Sequence, residues 1–343
     1  MTSYLALPLQ ITCHAVNATN SVKAARESIL RSIEGCGKLI AGSIGFSNSY
    51  FPENVRLVVL PEYFLTGFPM GESTEVWQEK ACLSIDGPEY ELLGAIAVQH
   101  QLYISGNVYE LDHHFPELYF QSSFIVDPQG EVILRYRRLN SMFSPTPHDL
   151  LDKYLETYGE QALFPVVDTE IGKLACIASE EILFPEIARA LMLEGAEVFC
   201  HSSSEMGSAL ATPKNIAKRA RAFENMAYVV SANSAGIADI EFPTHSTDGH
   251  SQVVDFHGTV LAEAKTGEST VGAAPVSLNE LRHARRTPSM TNSIARQRLE
   301  LFKRTYSRSI YEANNLVQDG ELAQPSRQHF IKTQQNAIKN LGL

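Results

Sequence analysis

Short runs dominated by apolar residues recur along this chain, each too brief for a helix and too uniform for a half-solvated strand. Arg56–Leu60, Leu174–Ala178, Val198–His201 and Tyr228–Ala232 are the clearest. A strand facing water on one side alternates apolar with polar residues, whereas a strand covered on both sides does not. Amphipathic segments at helical period separate the runs: Asn20–Ile33, Pro88–His100 and Pro185–Glu194, the last with Pro185 in its first turn. Tyr4–Gln10 and Leu102–Tyr109 read as further strands. Phe120–Asp127 and Glu131–Tyr136 flank the turn residues Pro128–Gly130 and read as a hairpin, as do Ser251–Asp255 and Val260–Ala264. The pattern is that of an α/β protein whose strands carry helices on one face and a second sheet or layer on the other.

Composition narrows the function classes. At 343 residues the chain can bury a full core, and its net charge of −11 opposes a nucleic-acid surface. Arg135, Arg137 and Arg138 form the densest basic cluster, inside or just after a strand. Five cysteines, an odd number without a CxxC pair, read as reduced core residues of a cytoplasmic protein. Neither a signal peptide nor a membrane span is expected. No metal-ligand spacing, phosphate loop or cofactor motif is found, so no metal and no cofactor are expected. Residues 1–290 read as one domain. Residues 291–343 read as a polar C-terminal extension that could serve as a helical arm in oligomer contacts.

Three segments carry candidate chemistry. Glu62 follows the Arg56–Leu60 strand, where a carboxylate can be aimed into a cleft as an acid or base; a solvated loop glutamate is the plainer reading. Arg138 closes the second hairpin strand, where a guanidinium could hold an anion in a fork of hydrogen bonds. Ser179 sits at an elbow between the Leu174–Ala178 strand and a proline-started helix. A hydroxyl there could be a nucleophile or simply a cap.

In order and flanks these segments resemble the nitrilase, or carbon–nitrogen hydrolase, superfamily. The resemblance runs from about Tyr4 to Arg285 and rests on LVVLPEYFLTG (Leu57–Gly67), GEVILRYRR (Gly130–Arg138) and Gly172…Ser179…Phe184-Pro185-Glu186. RARAFENMAYVVSANSAG (Arg219–Gly236) and GHSQVVDFHGTVLAEA (Gly249–Ala264) add to it. It implies a four-layer α-β-β-α sandwich that forms a homodimer or larger homo-oligomer. It also implies hydrolysis of small amides, nitriles or related C–N compounds through an acyl intermediate. By position Glu62 matches the family's general base. Arg138 stands where the family has its catalytic lysine, and Ser179 where it has its nucleophilic cysteine. Asp152, by its distance from Gly159, stands nearest to a second glutamate found in many members.

Both departures have physical consequences. A serine hydroxyl is a far weaker acid than a thiol and leans on a base, commonly histidine. Arg138 keeps the charge of the lysine but cannot shuttle a proton, and its planar head is larger. His148, His201, His245 and His250 are candidate partners for Ser179. Asp152, His148, Glu181 and Ser204 are the candidate substrate contacts. Cys176, three residues upstream of Ser179, should point into the sheet packing rather than take over as nucleophile. Three functions follow: a hydrolase using Ser179, Glu62 as base and Arg138 as oxyanion stabiliser; a catalytically silent protein that binds a small carboxylate or amide, or acts as a regulatory or structural subunit; or a hydratase- or lyase-type proton transfer by Glu62.

Overall fold

The structure is a computed structural model that describes residues 3–206, 212–247, 249–269 and 271–342. Twelve strands form two six-stranded sheets, numbered here in chain order. The first sheet holds β1 (Ser3–Pro8), β2 (Val55–Val59), β3 (Tyr103–Leu111), β4 (Tyr119–Val126), β5 (Val132–Arg137) and β12 (Ala274–Ser277), in the order β12-β1-β2-β3-β4-β5. The second holds β6 (Val167–Thr169), β7 (Gly172–Ala178), β8 (Val198–Ser203), β9 (Tyr228–Asn233), β10 (Gln252–Val254) and β11 (Val260–Glu263), in the order β11-β10-β9-β8-β7-β6. Each sheet has three adjacent parallel strands at its centre, β1-β2-β3 and β7-β8-β9, with antiparallel strands outside them.

The period of two along each central strand sorts residues into three cores. Tyr4, Ala6, Leu57 and Val59 meet Leu174, Cys176 and Ala178 between the sheets. Leu5, Leu7, Val58 and Leu60 point the other way, into a core shared with α1 (Val22–Ser47), α2 (Thr74–Ala81) and α3 (Pro88–His100). Beyond α4 (Leu151–Tyr158), which packs with Phe115 and Phe120, Ala175, Ile177 and Phe199 face α5 (Pro185–Leu193) and α6 (Pro213–Asn225). The chain is therefore the four-layer α-β-β-α sandwich expected, and the uniform apolar runs are its doubly covered strands.

Strands and hairpins lie within a residue or two of their expected places, but α1 does not stop at Ile33. It continues to Ser47 through Gly35, Gly37, Gly42 and Gly45. Glycine weakens an isolated helix. Here Ile29, Ile33, Cys36, Ile40, Ser43 and Ser47 keep one buried face in phase, and tertiary packing overrides propensity.

The polar C-terminal segment folds back on the domain. Val317 and Leu322 pack against the cluster of Phe115, Phe120, Leu150 and Tyr154, while Leu316 and Phe330 are buried. Asn315 Nδ2 donates to Asp149 Oδ1 at 2.7 Å. A final helix, Arg327–Asn340, ends the described chain. Among the described residues, no helix is long and apolar enough to cross a membrane.

Candidate active site

The C-terminal ends of β2, β7 and β8 open toward one region, and the segments leaving them carry the polar groups. Glu62 is pinned to the end of β8 through its backbone: its N–H donates to Ser203 O at 3.2 Å, and its carbonyl accepts from Ser204 Oγ at 2.7 Å. The carboxylate accepts from Gln121 Nε2 at 2.8 Å, Arg138 Nη1 at 3.3 Å and the Ser204 backbone N–H at 3.2 Å. Ser204 thus contacts Glu62 twice. The charge of Glu62 also bears on Tyr63, whose phenol is pushed up by burial first and by that carboxylate second.

Arg138 fills its surroundings. Its Nε donates to Asn140 O at 2.6 Å, Nη1 serves Gln121 Oε1 as well as Glu62, and Nη2 pairs with Glu180. Burial works against its charge, but Glu62 and Glu180 more than offset this and raise its pKa. Alternation along β5 sends Arg137 the other way, to Asp112 and over the Tyr158 ring at 4.3 Å. Arg135 pairs with Glu110 at 3.1 Å. All three members of the basic cluster are therefore ion-paired.

Ser179 occupies a left-handed turn at φ +49°, and Tyr63, next to Glu62, has φ +60°. Non-glycine residues are strained there and cluster at functional sites. The turn at Ser179 is bracketed by Glu181, which is fully buried. Its Oε1 accepts from the Leu139 and Asn140 N–H groups at 2.7 and 2.9 Å, and its Oε2 from Tyr136 Oη and the Ala178 N–H at 2.7 and 3.3 Å. Burial raises the Glu181 pKa, opposed by Arg138 and these donors. Glu181, expected among the substrate contacts, has both oxygens bonded to protein donors that hold the elbow.

The Ser179 hydroxyl accepts a hydrogen bond from Lys214 Nζ at 3.1 Å, and the same ammonium reaches Ser203 Oγ at 3.2 Å. Among the described hydrogen bonds none joins Ser179 Oγ to Glu62, Arg138 or a histidine. Lys214 is a residue the sequence reading missed. It lies 35 residues after Ser179, in the first turn of α6, beside Pro213 and the capping Thr212, and there it resembles any solvated helix lysine.

The four candidate histidines separate clearly. His201 touches the elbow, but through the backbone: Nε2 lies 2.8 Å from Ser179 O, and Nδ1 lies 2.8 Å from Ser231 Oγ. A carbonyl only accepts, so Nε2 carries the proton and Nδ1 accepts from the serine. Burial, then the Lys218 and Lys214 charges, push His201 well below the ordinary imidazole value of 6.5. An unfolded chain therefore binds a proton that the folded chain refuses. Folding stability is expected to fall as pH drops below about 6.5, by up to about 1.4 kcal/mol per unit. Urea melts between neutral pH and pH 5 check this; an unchanged pH slope in His201→Gln would refute the assignment. His148 lies 5.8 Å from the Tyr311 ring, and its carbonyl accepts from the Asn314 N–H. Asp152 is exposed, with its N–H on Asn314 Oδ1 at 2.9 Å. Both belong to the seam with the C-terminal segment, and neither is among the hydrogen-bond partners of Glu62, Arg138 or Ser179. His245 is exposed, and His250 bonds Glu263 at 3.2 Å.

Cys176 lies in the inter-sheet core, its thiol near Ser105 Oγ at 3.6 Å and pushed up to about 12 by burial. Among the described residues, no group of three or more His, Cys, Asp or Glu side chains could hold a metal ion.

The chain belongs to the carbon–nitrogen hydrolase family, whose model matches residues 17–286. A formamidase from Bacillus thuringiensis (strain Al Hakam) is 29% identical over 228 residues, covering 66% of this chain and 63% of that protein. The chain thus matches less than two thirds of that relative's length. The yeast Saccharomyces cerevisiae Nit3, a nitrilase-superfamily member, superposes with a TM-score of 0.65 at 20% identity, over 84% of this chain and 96% of its own. A carbon–nitrogen hydrolase from Helicobacter pylori G27 gives 0.65 at 20% identity, over 89% and 99%. An amidase from Nesterenkonia sp. gives 0.58 at 19%, over 89% and 96%. These structures share the fold.

Proposed function

We propose that this protein hydrolyses a small amide or a related C–N compound, through an acyl intermediate on Ser179. The observation that carries this reading is a serine hydroxyl on a left-handed turn, 3.1 Å from a lysine ammonium. Family membership supports hydrolysis at a C–N bond, and the formamidase and amidase relatives support an amide as substrate. Glu62 and Arg138 form the charged wall of the same network, since Glu62 is tied to Ser203 and Arg138 to Glu180, the neighbour of Ser179. The roles read from sequence, Glu62 as base and Arg138 as oxyanion stabiliser, require the two to part from each other when substrate enters. The reading includes a cytoplasmic homodimer or larger homo-oligomer. A screen of small amides, nitriles and esters with intact-mass detection tests it: turnover with a transient acyl adduct on Ser179 is expected, and no turnover across the panel defeats it.

The second reading is a catalytically silent member that binds a small carboxylate or amide or serves as a subunit. The closure of Arg138 on Glu62, Gln121 and Glu180 favours it, because these contacts occupy the charges a substrate would use. Ligand-induced stabilisation without turnover in the same panel is its signature.

A further inference from the structure

Serine in place of the family's cysteine leaves a weak acid at the nucleophile position, and Glu62, the matching base, is locked to Arg138, Gln121 and Ser204. The group that touches the hydroxyl is Lys214, and it also touches Ser203, a fully buried hydroxyl at the end of β8. Lys214 stands in the first turn of α6, where the helix presents its positive end and opposes a cation. Lys218, one turn further along the same face, is fully buried, and both ammonium groups act on His201. Two like charges so placed repel.

We infer that Lys214, rather than Glu62, takes the proton from Ser179, with Ser203 holding the amine in line, so that the site works as a serine–lysine dyad. Serine–lysine pairs perform acyl transfer on unrelated folds, which shows that the chemistry is sufficient. In its deprotonated form Lys214 Nζ accepts the Oγ proton as the Oγ–carbon bond forms and the carbonyl π pair moves to oxygen. On collapse the C–N bond breaks and Nζ returns the proton to the departing nitrogen. Water then repeats the sequence: Nζ takes one of its protons, the hydroxyl adds to the ester, and Ser179 leaves with the proton restored. Arg138 cannot substitute in this role, because guanidinium keeps its proton.

This inference rests on Ser179 being a nucleophile, and its test does not require a known substrate. The full-length protein is treated with an alkyl fluorophosphonate, which forms an O–P bond to an activated serine and releases fluoride, and the adduct is mapped by peptide mass spectrometry. The expected result is labelling at Ser179 that slows by about a hundredfold or more in both Lys214→Gln and Lys214→Arg. The arginine variant keeps the charge and a hydrogen-bond donor but cannot accept a proton, so it separates a base from an electrostatic prop. Lys214 is only partly buried, and both long polar replacements are expected to leave the melting temperature within a few degrees. Absence of a Ser179 adduct in the unmodified protein, or labelling of Lys214→Arg within tenfold of it, overturns the dyad. Lys214-dependent labelling in a protein that turns over no amide upholds the dyad and removes only the hydrolase reading.

Discussion

Ser179→Ala is expected to lower kcat/KM for the best amide by about a thousandfold or more, because it removes the hydroxyl on the strained turn that the acyl intermediate requires. Cys176 is the nearest thiol along the chain, but it belongs to the inter-sheet core and its acidity is suppressed to about 12. Ser179→Cys probes the same position from the other side. A thiol 3.1 Å from the Lys214 ammonium would shed its proton below the usual value of about 8.5, since an adjacent cation favours the thiolate. That variant is expected to react with iodoacetamide near neutral pH at a single site, while the five native cysteines, whose thiols burial pushes up, stay unmodified. Alkylation kinetics followed by mass spectrometry decide it. A Ser179→Cys thiol no faster than a free thiol at the same pH would mean that Lys214 does not act on this position, and full activity in Ser179→Ala would end its claim to be the nucleophile.

What the sequence disclosed about this site was limited by distance along the chain. Glu62, Arg138 and Ser179 were legible as candidates because each stands directly after a strand in a segment that resembles a family motif. Lys214 was not, since a lysine after Pro213 carries no local mark, and only the parallel alignment of β7 and β8 brings α6 back over Ser179. Gln121 was also missed, although a signal existed. It and Asn107 are amides in the middle of fully buried strands, where a polar group must find partners, and Gln121 bridges Asn107, Glu62 and Arg138. Sequence points to Asp152 through its distance from Gly159 and to His148 through its place in the same loop. The C-terminal segment bonds to that loop, an association of residues some 160 apart that no local pattern encodes. The length of α1 was hidden by its glycines, whose cost is local while the buried face that offsets it is set by the sheet.

Glu181 joins two of the legible positions, and its removal is expected to cause the largest loss of stability among single changes at this site. The backbone after Arg138 is held by two N–H bonds to Oε1, and the strand end before Ser179 by the Ala178 N–H on Oε2. Tyr136 Oη supplies the fourth donor from the preceding strand. Glu181→Ala would leave four donors without their acceptor, two of them buried, and take a negative charge from beside Arg138. Each buried donor left unsatisfied costs about 1–3 kcal/mol, so a total loss of about 3–5 kcal/mol is expected. Glu180→Ala is the matched control. Its partly exposed carboxylate pairs with the same arginine, which keeps Glu62 as a second partner, so a loss of only about 1 kcal/mol is expected. Urea denaturation of the two variants should therefore separate them by several kcal/mol. Equal stabilities would mean that the four hydrogen bonds to Glu181 do not hold the elbow, and that the strained turn at Ser179 is maintained by the sheet and His201 alone.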